Sequence, residues 1–256
     1  MLKKILHSTI AKIIVGVVVI MGGYWLLLHS LSSLFRLVQV TPIITIIRYI
    51  TIPVIITSFI IALYILIYRY YERRKITELS THNFGKYLLF GLLLGFLLPS
   101  LSIFVAYLRG EYIILSISNL TNIFLRDFTI SIFFGILTAV FEEVVFRGVV
   151  FRLIEEKLGS YIAMIISCVI FGFLHLQNGS DSFFVGITVS VISVLVTAAY
   201  MYTRNLWSPI AIHFAWNFAR HLYATCRFSF LSLHILFRVH EKNQVVPRAF
   251  YMVVLC

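Results

Sequence analysis

Charged residues make up only 12% of this 256-residue chain, and just 10 of them are acidic. Soluble domains carry about 25% charged residues, so the deficit excludes an ordinary water-soluble domain. Cysteine is nearly as scarce. Cys168 falls in a hydrophobic run, Cys226 and Cys256 lie near the C-terminus, and no CxxC pair exists. A disulfide framework and a thiolate zinc ribbon are thereby excluded, and the thiols read as reduced and structurally neutral. There is no internal repeat, low-complexity tract or Gly/Ser linker, so no flexible hinge separates domains. An HExxH metalloprotease helix is also absent.

What the chain has in quantity is apolar length. Hydrophobic residues reach 61% and the mean hydropathy is +0.99. A hydrocarbon core about 30 Å thick needs roughly 20 apolar residues per helix. Spans are expected at residues 12–32, 50–68, 84–107, 127–152, 160–177, 183–203 and 206–224. Residues 37–49 are apolar but interrupted by Pro42 and Arg48, with Pro53 just beyond, and read as the approach to the second helix or as a re-entrant segment. The expected fold class is an all-α polytopic transmembrane bundle of about seven to eight spans. Lys3 and Lys4 precede an apolar stretch too long for a signal peptide and without a clear small-x-small cleavage site, so it reads as an uncleaved first helix.

The formal net charge is +11, yet Lys and Arg sit mainly at the ends of apolar runs. No basic face interleaved with aromatics is present, so nucleic acid is not an expected partner. Membrane orientation accounts for the charge instead. Lys3 and Lys4, then Arg69, Arg73, Arg74, Lys75 and Lys86, then Arg152 and Lys157, then Arg204 recur every second span, which predicts a cytoplasmic N-terminus in the cell membrane. The loops at 109–126 and 177–182 then face outward. After residue 224 the pattern fails: 228–237 is too short to span and 245–256 contains Pro247 and Arg248.

Within the fourth span, Phe141-Glu142-Glu143-Val144-Val145-Phe146-Arg147-Gly148 sets three formal charges within six residues of apolar helix. Each costs about 2.5–3.5 kcal/mol at a helix centre, so they must be paired or solvated. Glu143 and Arg147 stand at i and i+4 with the acid N-terminal, the favourable order for a helical ion pair. Glu142, rotated about 100° away, is left to face a cavity. Later spans supply His175, then His213 and Asn217 on one face at i and i+4. A partly desolvated carboxylate can act as general base on water, while imidazole and amide groups can stabilise an oxyanion. The same Glu and His groups can instead ligate a divalent metal such as zinc, and their spacing does not choose between the two. A knot of ion pairs fixing helix packing is the structural alternative. Gly91 and Gly95 form a small-xxx-small pair suited to close helix approach.

Glu142-Glu143-x-x-x-Arg147, Phe171-x-x-x-His175 and His213-x-x-x-Asn217, in this order on separate hydrophobic spans, resemble the three-motif signature of the CAAX protease and bacteriocin-processing (CPBP, or Abi) intramembrane proteases. The resemblance covers residues 80–224, with 1–79 as N-terminal transmembrane helices and 225–256 as an irregular tail that does not supply the family's last helix. It implies a conical intramembrane cavity and an endopeptidase acting on a membrane-associated peptide or a lipidated protein C-terminus. Glu142 would activate water, His175 would position it, and His213 and Asn217 would form the oxyanion site, supported by Glu143 and Arg147. Such proteins have been described as both metallo- and glutamic proteases, so the metal stays open. Partners are then membrane lipids and the substrate, with oligomeric state undetermined.

Two other functions fit the same residues. A non-catalytic bacteriocin-immunity or membrane peptide-binding protein would keep the fold and use the cavity for sequestration. A transporter with a Glu/His proton relay would need a repeat symmetry that the chain lacks.

Overall fold

In hydrocarbon each backbone N–H must find its acceptor within its own segment, so apolar runs become helices. The computed structural model describes residues 8–39, 41–109, 112–114, 122–177, 182–225 and 228–230. Helix α1 (Thr9–Arg36) opens on Ser8, whose Oγ accepts the Ala11 N–H at 3.2 Å. Helix α2 (Pro42–Leu66) opens on Thr41, whose Oγ1 accepts from Ile44 N–H at 3.2 Å. This corrects the expected start at residue 50 and removes the re-entrant reading. Pro42 lies in the first turn, where its missing N–H costs nothing, and Pro53 is accommodated inside the helix. A π-wound turn, Ile67–Tyr71, ends the span.

Helix α3 is Phe84–Leu108 and helix α4 is Asn122–Glu143. Without a break, α4 continues as a π-wound segment, Val144–Phe151, and then as α5 (Arg152–Leu158). Gly159, at φ 79°, turns the chain into α6 (Ser160–Leu174), which runs into a 3-10 turn at His175–Gln177. Helices α7 (Ser182–Thr203) and α8 (Trp207–Thr225) complete the bundle. The expected all-helical fold is present. It carries one small addition, an antiparallel ribbon of β1 (Tyr112–Ile114) and β2 (Phe228–Phe230), with Ile113 opposite Ser229. The rest of the C-terminal tail, from residue 231, lies outside the described residues.

Among the described helices, five are long and apolar enough to cross a membrane: Thr9–Arg36, Pro42–Tyr71, Phe84–Leu108, Arg126–Leu158 and Gly186–Thr203. The expected count of seven to eight also included α6 and α8. Helix α6 has 15 residues, short of the roughly 20 that a full crossing takes. Helix α8 carries His213, Asn217, Arg220 and His221, and neighbouring helices shelter much of it. Ala211, Ile212, Ala215 and Ala219 are buried, and α3, α4 and α7 pack against it. A helix shielded by protein need not be apolar all round. The outer surface shows the opposite pattern. Leu89, Leu93, Leu97 and Leu101 form an exposed i, i+4 stripe along α3, as lipid contact requires.

Close backbone approaches lock the bundle. A Cβ on Gly95 would lie 2.2 Å from the Ile212 carbonyl oxygen, and one on Gly91 would lie 2.6 Å from Ala211 Cβ. The small-residue pair read from the sequence is thus where α3 meets α8. Gly172 plays the same part between α6 and α7, its Cβ position being 2.5 Å from the Gly186 carbonyl.

A polar layer closes one end. Here the Tyr64 hydroxyl lies within hydrogen-bond distance of the Glu78 carboxylate and, at 3.2 Å, of the Gly148 carbonyl. Arg74 pairs with Glu78, and Arg152 donates to Gly148 O at 3.0 Å and to both oxygens of Glu72 at 3.1 and 3.0 Å. Leu206 N–H donates to Glu78 O at 2.7 Å, tying the start of α8 to this layer. Burial alone would push the Glu78 carboxyl up, but hydrogen bonds from Arg74 and Tyr64 outweigh it and hold it below the usual carboxylate range.

Candidate active site

The sequence-predicted charges meet where α4 gives way to the π-wound segment. Arg147 is 1% exposed and held by four hydrogen bonds. Its Nη1 donates to Glu143 Oε1 at 2.9 Å, its Nη2 to Ser193 Oγ at 2.6 Å and Ser193 O at 3.0 Å, and its Nε to Thr197 Oγ1 at 3.2 Å. Its guanidinium also lies over the Phe171 ring at 5.2 Å, a cation–π contact strengthened by the absence of water. The expected Glu143–Arg147 ion pair is therefore present, with hydroxyls of α7 completing the cation's shell. A π turn, with its i to i+5 bonding, is a feature concentrated at functional sites.

His213 of α8 sits between both glutamates. Its Nδ1 is 2.7 Å from Glu143 Oε1 and its Nε2 is 3.7 Å from Glu142 Oε2. Glu143 Oε1 already accepts from Arg147, so Nδ1 carries the proton and donates. The Nε2 side is then the one turned to Glu142. Charges on Glu142, Glu143, Arg147 and an imidazolium His213 cancel, which a buried site requires. His175, at the end of α6, donates from Nδ1 to the Phe171 carbonyl at 2.7 Å. A carbonyl only accepts, so this bond fixes the tautomer and leaves Nε2 of the neutral ring as an acceptor. Both imidazoles lie within electrostatic range of the Glu142 carboxylate, as does Tyr24 of α1, whose ring stacks on Phe141 at 4.5 Å.

A cavity of about 350 Å³ opens beside these groups, lined by Glu143, Arg147, His175, His213 and Asn217 together with apolar residues such as Val189 and Ile192. Glu142, expected to face a cavity, is not among the lining residues; it is 8% exposed and stands beside His213, which does line it, with Oε2 lacking a hydrogen-bond partner among the described residues. All six predicted residues thus fall in one region. Counted at about 1.5 Å per residue, Glu142 lies roughly 15–20 Å, His175 roughly 24 Å and His213 about 12–15 Å from the expected ends of their spans. Those ends are not equivalent: Leu206 and Ser208 at the start of α8 are buried beneath the polar layer, whereas Tyr161 at the start of α6 is exposed.

Three participants were missed. Phe171 had been read only as a motif position, yet its ring touches His175 (4.6 Å between centroids), Phe146 (4.7 Å) and His213 (6.3 Å). Ser193 and Thr197 were missed outright, although two hydroxyls at i and i+4 on an apolar span signal a polar partner across the bundle. Among the described residues no group of three or more His, Cys, Asp or Glu side chains is placed to hold a metal ion. Glu143 and His213 are bonded to each other, and His175 is tied through Nδ1 to its own helix, which leaves its Nε2 open.

Carboxylate, imidazole and amide groups therefore meet beside a cavity within a bundle of apolar helices. Residues 124–219, which contain all six predicted site residues, match the family described as type II CAAX prenyl endopeptidase Rce1-like. The resemblance read from the three motifs falls in the same family of membrane proteases. No curated protein and no solved structure matches the chain.

Proposed function

We propose that this protein is an intramembrane endopeptidase in which Glu142 is the general base. The observation that carries this reading is the unequal use of the two adjacent glutamates. Glu143 Oε1 is held by Arg147 and His213, with Oε2 of the same carboxylate unpartnered, whereas Glu142 Oε2 stands 3.7 Å from His213 Nε2 and has no hydrogen bond to a described residue. A carboxylate held through one oxygen by two donors is an anchor; one that no donor holds is open to take a proton from water.

In the proposed cycle, Glu142 accepts a proton from a water positioned by His175 Nε2. The water oxygen bonds to the scissile carbonyl carbon, and the negative charge that develops on the carbonyl oxygen is met by His213 Nε2–H and the Asn217 amide. As the C–N bond breaks, protonated Glu142 returns its proton to the leaving amine. Oxyanion donors of this kind contribute about 2.7–4 kcal/mol each to the rate. Every step of this cycle is written with protein groups.

The substrate reading is a membrane-associated peptide or a lipidated protein C-terminus. Supporting it is Arg220, which lines the same cavity without an ion-pair partner among the described residues. Seven residues beyond His213, it lies about 10 Å further along the helix on nearly the same face. That supplies one unpaired cation for a terminal carboxylate beside an apolar wall.

The decisive experiment measures cleavage of lipidated C-terminal peptides by the full-length protein in nanodiscs, with and without Glu142→Gln and with a chelator. The reading predicts loss of cleavage in a variant that keeps its thermal transition, and no change on chelation. Undiminished cleavage by the variant would overturn it. A non-catalytic sequestering role would instead appear as peptide binding without turnover in the unaltered protein.

A further inference from the structure

A second cavity lies at the far end of α2, away from the catalytic groups. It measures about 490 Å³ and is lined by Ile65, Arg69, Arg74, Lys75, Ile76 and Leu79. Three cations and three aliphatic side chains therefore share one recess. It stands at the end of the span Pro42–Tyr71, where exposed Tyr70 marks the level of lipid headgroups.

Cations that only orient a helix need no recess; these are built into one. Arg73 adopts φ 55°, a left-handed conformation that costs an L residue about 1–3 kcal/mol. The turn returns the Arg74 N–H to the Tyr68 carbonyl at 3.3 Å and folds Lys75 and Ile76 back beside Arg69. Arg74 is then immobilised by Glu78, by Glu72 at 3.5 Å and by stacking over Tyr68 at 5.1 Å. Arg69 and Lys75 form no ion pair with any described residue. Two unspent positive charges thus border a fixed guanidinium, with an aliphatic floor below them.

We propose that this recess binds the phosphate headgroup of an anionic phospholipid, with Arg69 and Lys75 on the phosphate and Ile65, Ile76 and Leu79 against the glycerol and first acyl carbons. A basic pocket at the headgroup level of a transmembrane bundle recognises anionic lipid through such a combination. A free inorganic phosphate would satisfy the cations but leave the aliphatic floor unused.

The test needs no peptidase activity. Full-length protein in neutral detergent is mixed with phosphatidylglycerol or phosphatidylcholine, and retained lipid is counted by native mass spectrometry. Inorganic phosphate is added as competitor in a parallel arm. Expected is selective retention of phosphatidylglycerol that survives millimolar phosphate. Retention should fall at least fivefold in Arg69→Gln/Lys75→Gln and be unchanged in Lys86→Gln, a cation in the first turn of α3 outside the recess. Equal retention of the two lipids, equal retention by the double variant, or displacement by inorganic phosphate would each overturn the proposal. A thermal transition for each variant separates lost binding from lost folding.

Discussion

His213 Nδ1 and Arg147 Nη1 converge on a single oxygen, Glu143 Oε1, at 2.7 and 2.9 Å. Glu143 is therefore the joint between α8 and the π-wound segment, and its loss differs in kind from loss of Glu142. Glu143→Gln leaves Arg147 buried without its carboxylate, a change that costs about 3–5 kcal/mol when one partner of a buried pair is removed. The expected outcome is a markedly lowered thermal transition for Glu143→Gln and a nearly unchanged one for Glu142→Gln, read by differential scanning fluorimetry in detergent.

The approach of α3 to α8 gives a test of how that joint is carried. Gly95→Ala would put a methyl group 2.2 Å from the Ile212 carbonyl, against backbone that cannot rotate away. Overpacking of this sort costs about 1–3 kcal/mol and shifts the helix that bears His213, so stability and cleavage should fall together. Gly22→Ala on α1 meets nothing within 4 Å. There the helix gains up to about 1 kcal/mol from the better helix former. Thermal transitions of the two variants should move in opposite directions.

Legibility in the sequence followed the physics of each feature. Hydrocarbon imposes length and apolarity, so every predicted span is present as a helix, and Glu143 with Arg147 could be paired from their spacing alone. The π winding of 144–151 was invisible, because no residue type announces it; it forms where tertiary bonds to Gly148 and Arg147 hold the wider turn. Arg74 and Glu78 are also four apart, but they lie in a connecting segment and read as loop charge. Only the fold shows that Glu78 is 3% exposed and closes one end of the bundle.

That burial predicts a pH dependence. The folded Glu78 carboxyl is held below its ordinary value by Arg74 and Tyr64, against the upward push of burial. Its contribution to stability is then complete above the unfolded carboxylate value of about 4.3 and is lost as pH falls through the lower folded value. Thermal transitions recorded from pH 6 to pH 3 should decline more steeply for the unaltered protein than for Glu78→Gln, which starts lower and stays flatter. Parallel curves would sink the assignment.

Arg220 gives the substrate reading its own readout. A hydrogen bond to a charged group contributes about 1.5–3 kcal/mol, so Arg220→Gln should raise KM for peptides with a free C-terminal carboxylate about tenfold or more. KM for the corresponding C-terminal amides should not change. Equal effects on both peptide series would remove terminal-carboxylate recognition while leaving the hydrolytic assignment standing.

The wide turn at Val144–Phe151 also fixes the angular phase of everything beyond it. Each residue in an ordinary helix advances the side chains by about 100°, and a π turn absorbs one residue more than an α turn for the same closure. Deleting one residue from 148–151 is therefore absorbed by a return to α winding, with α5 kept close to its phase. Inserting one more residue, with the wide turn already used, instead rotates α5 by about 100° and swings Arg152 away from Glu72 and Gly148. The segment behaves as a rotational spacer between the charged centre of the bundle and its closed end. Loss of one residue there will be tolerated better than gain of one.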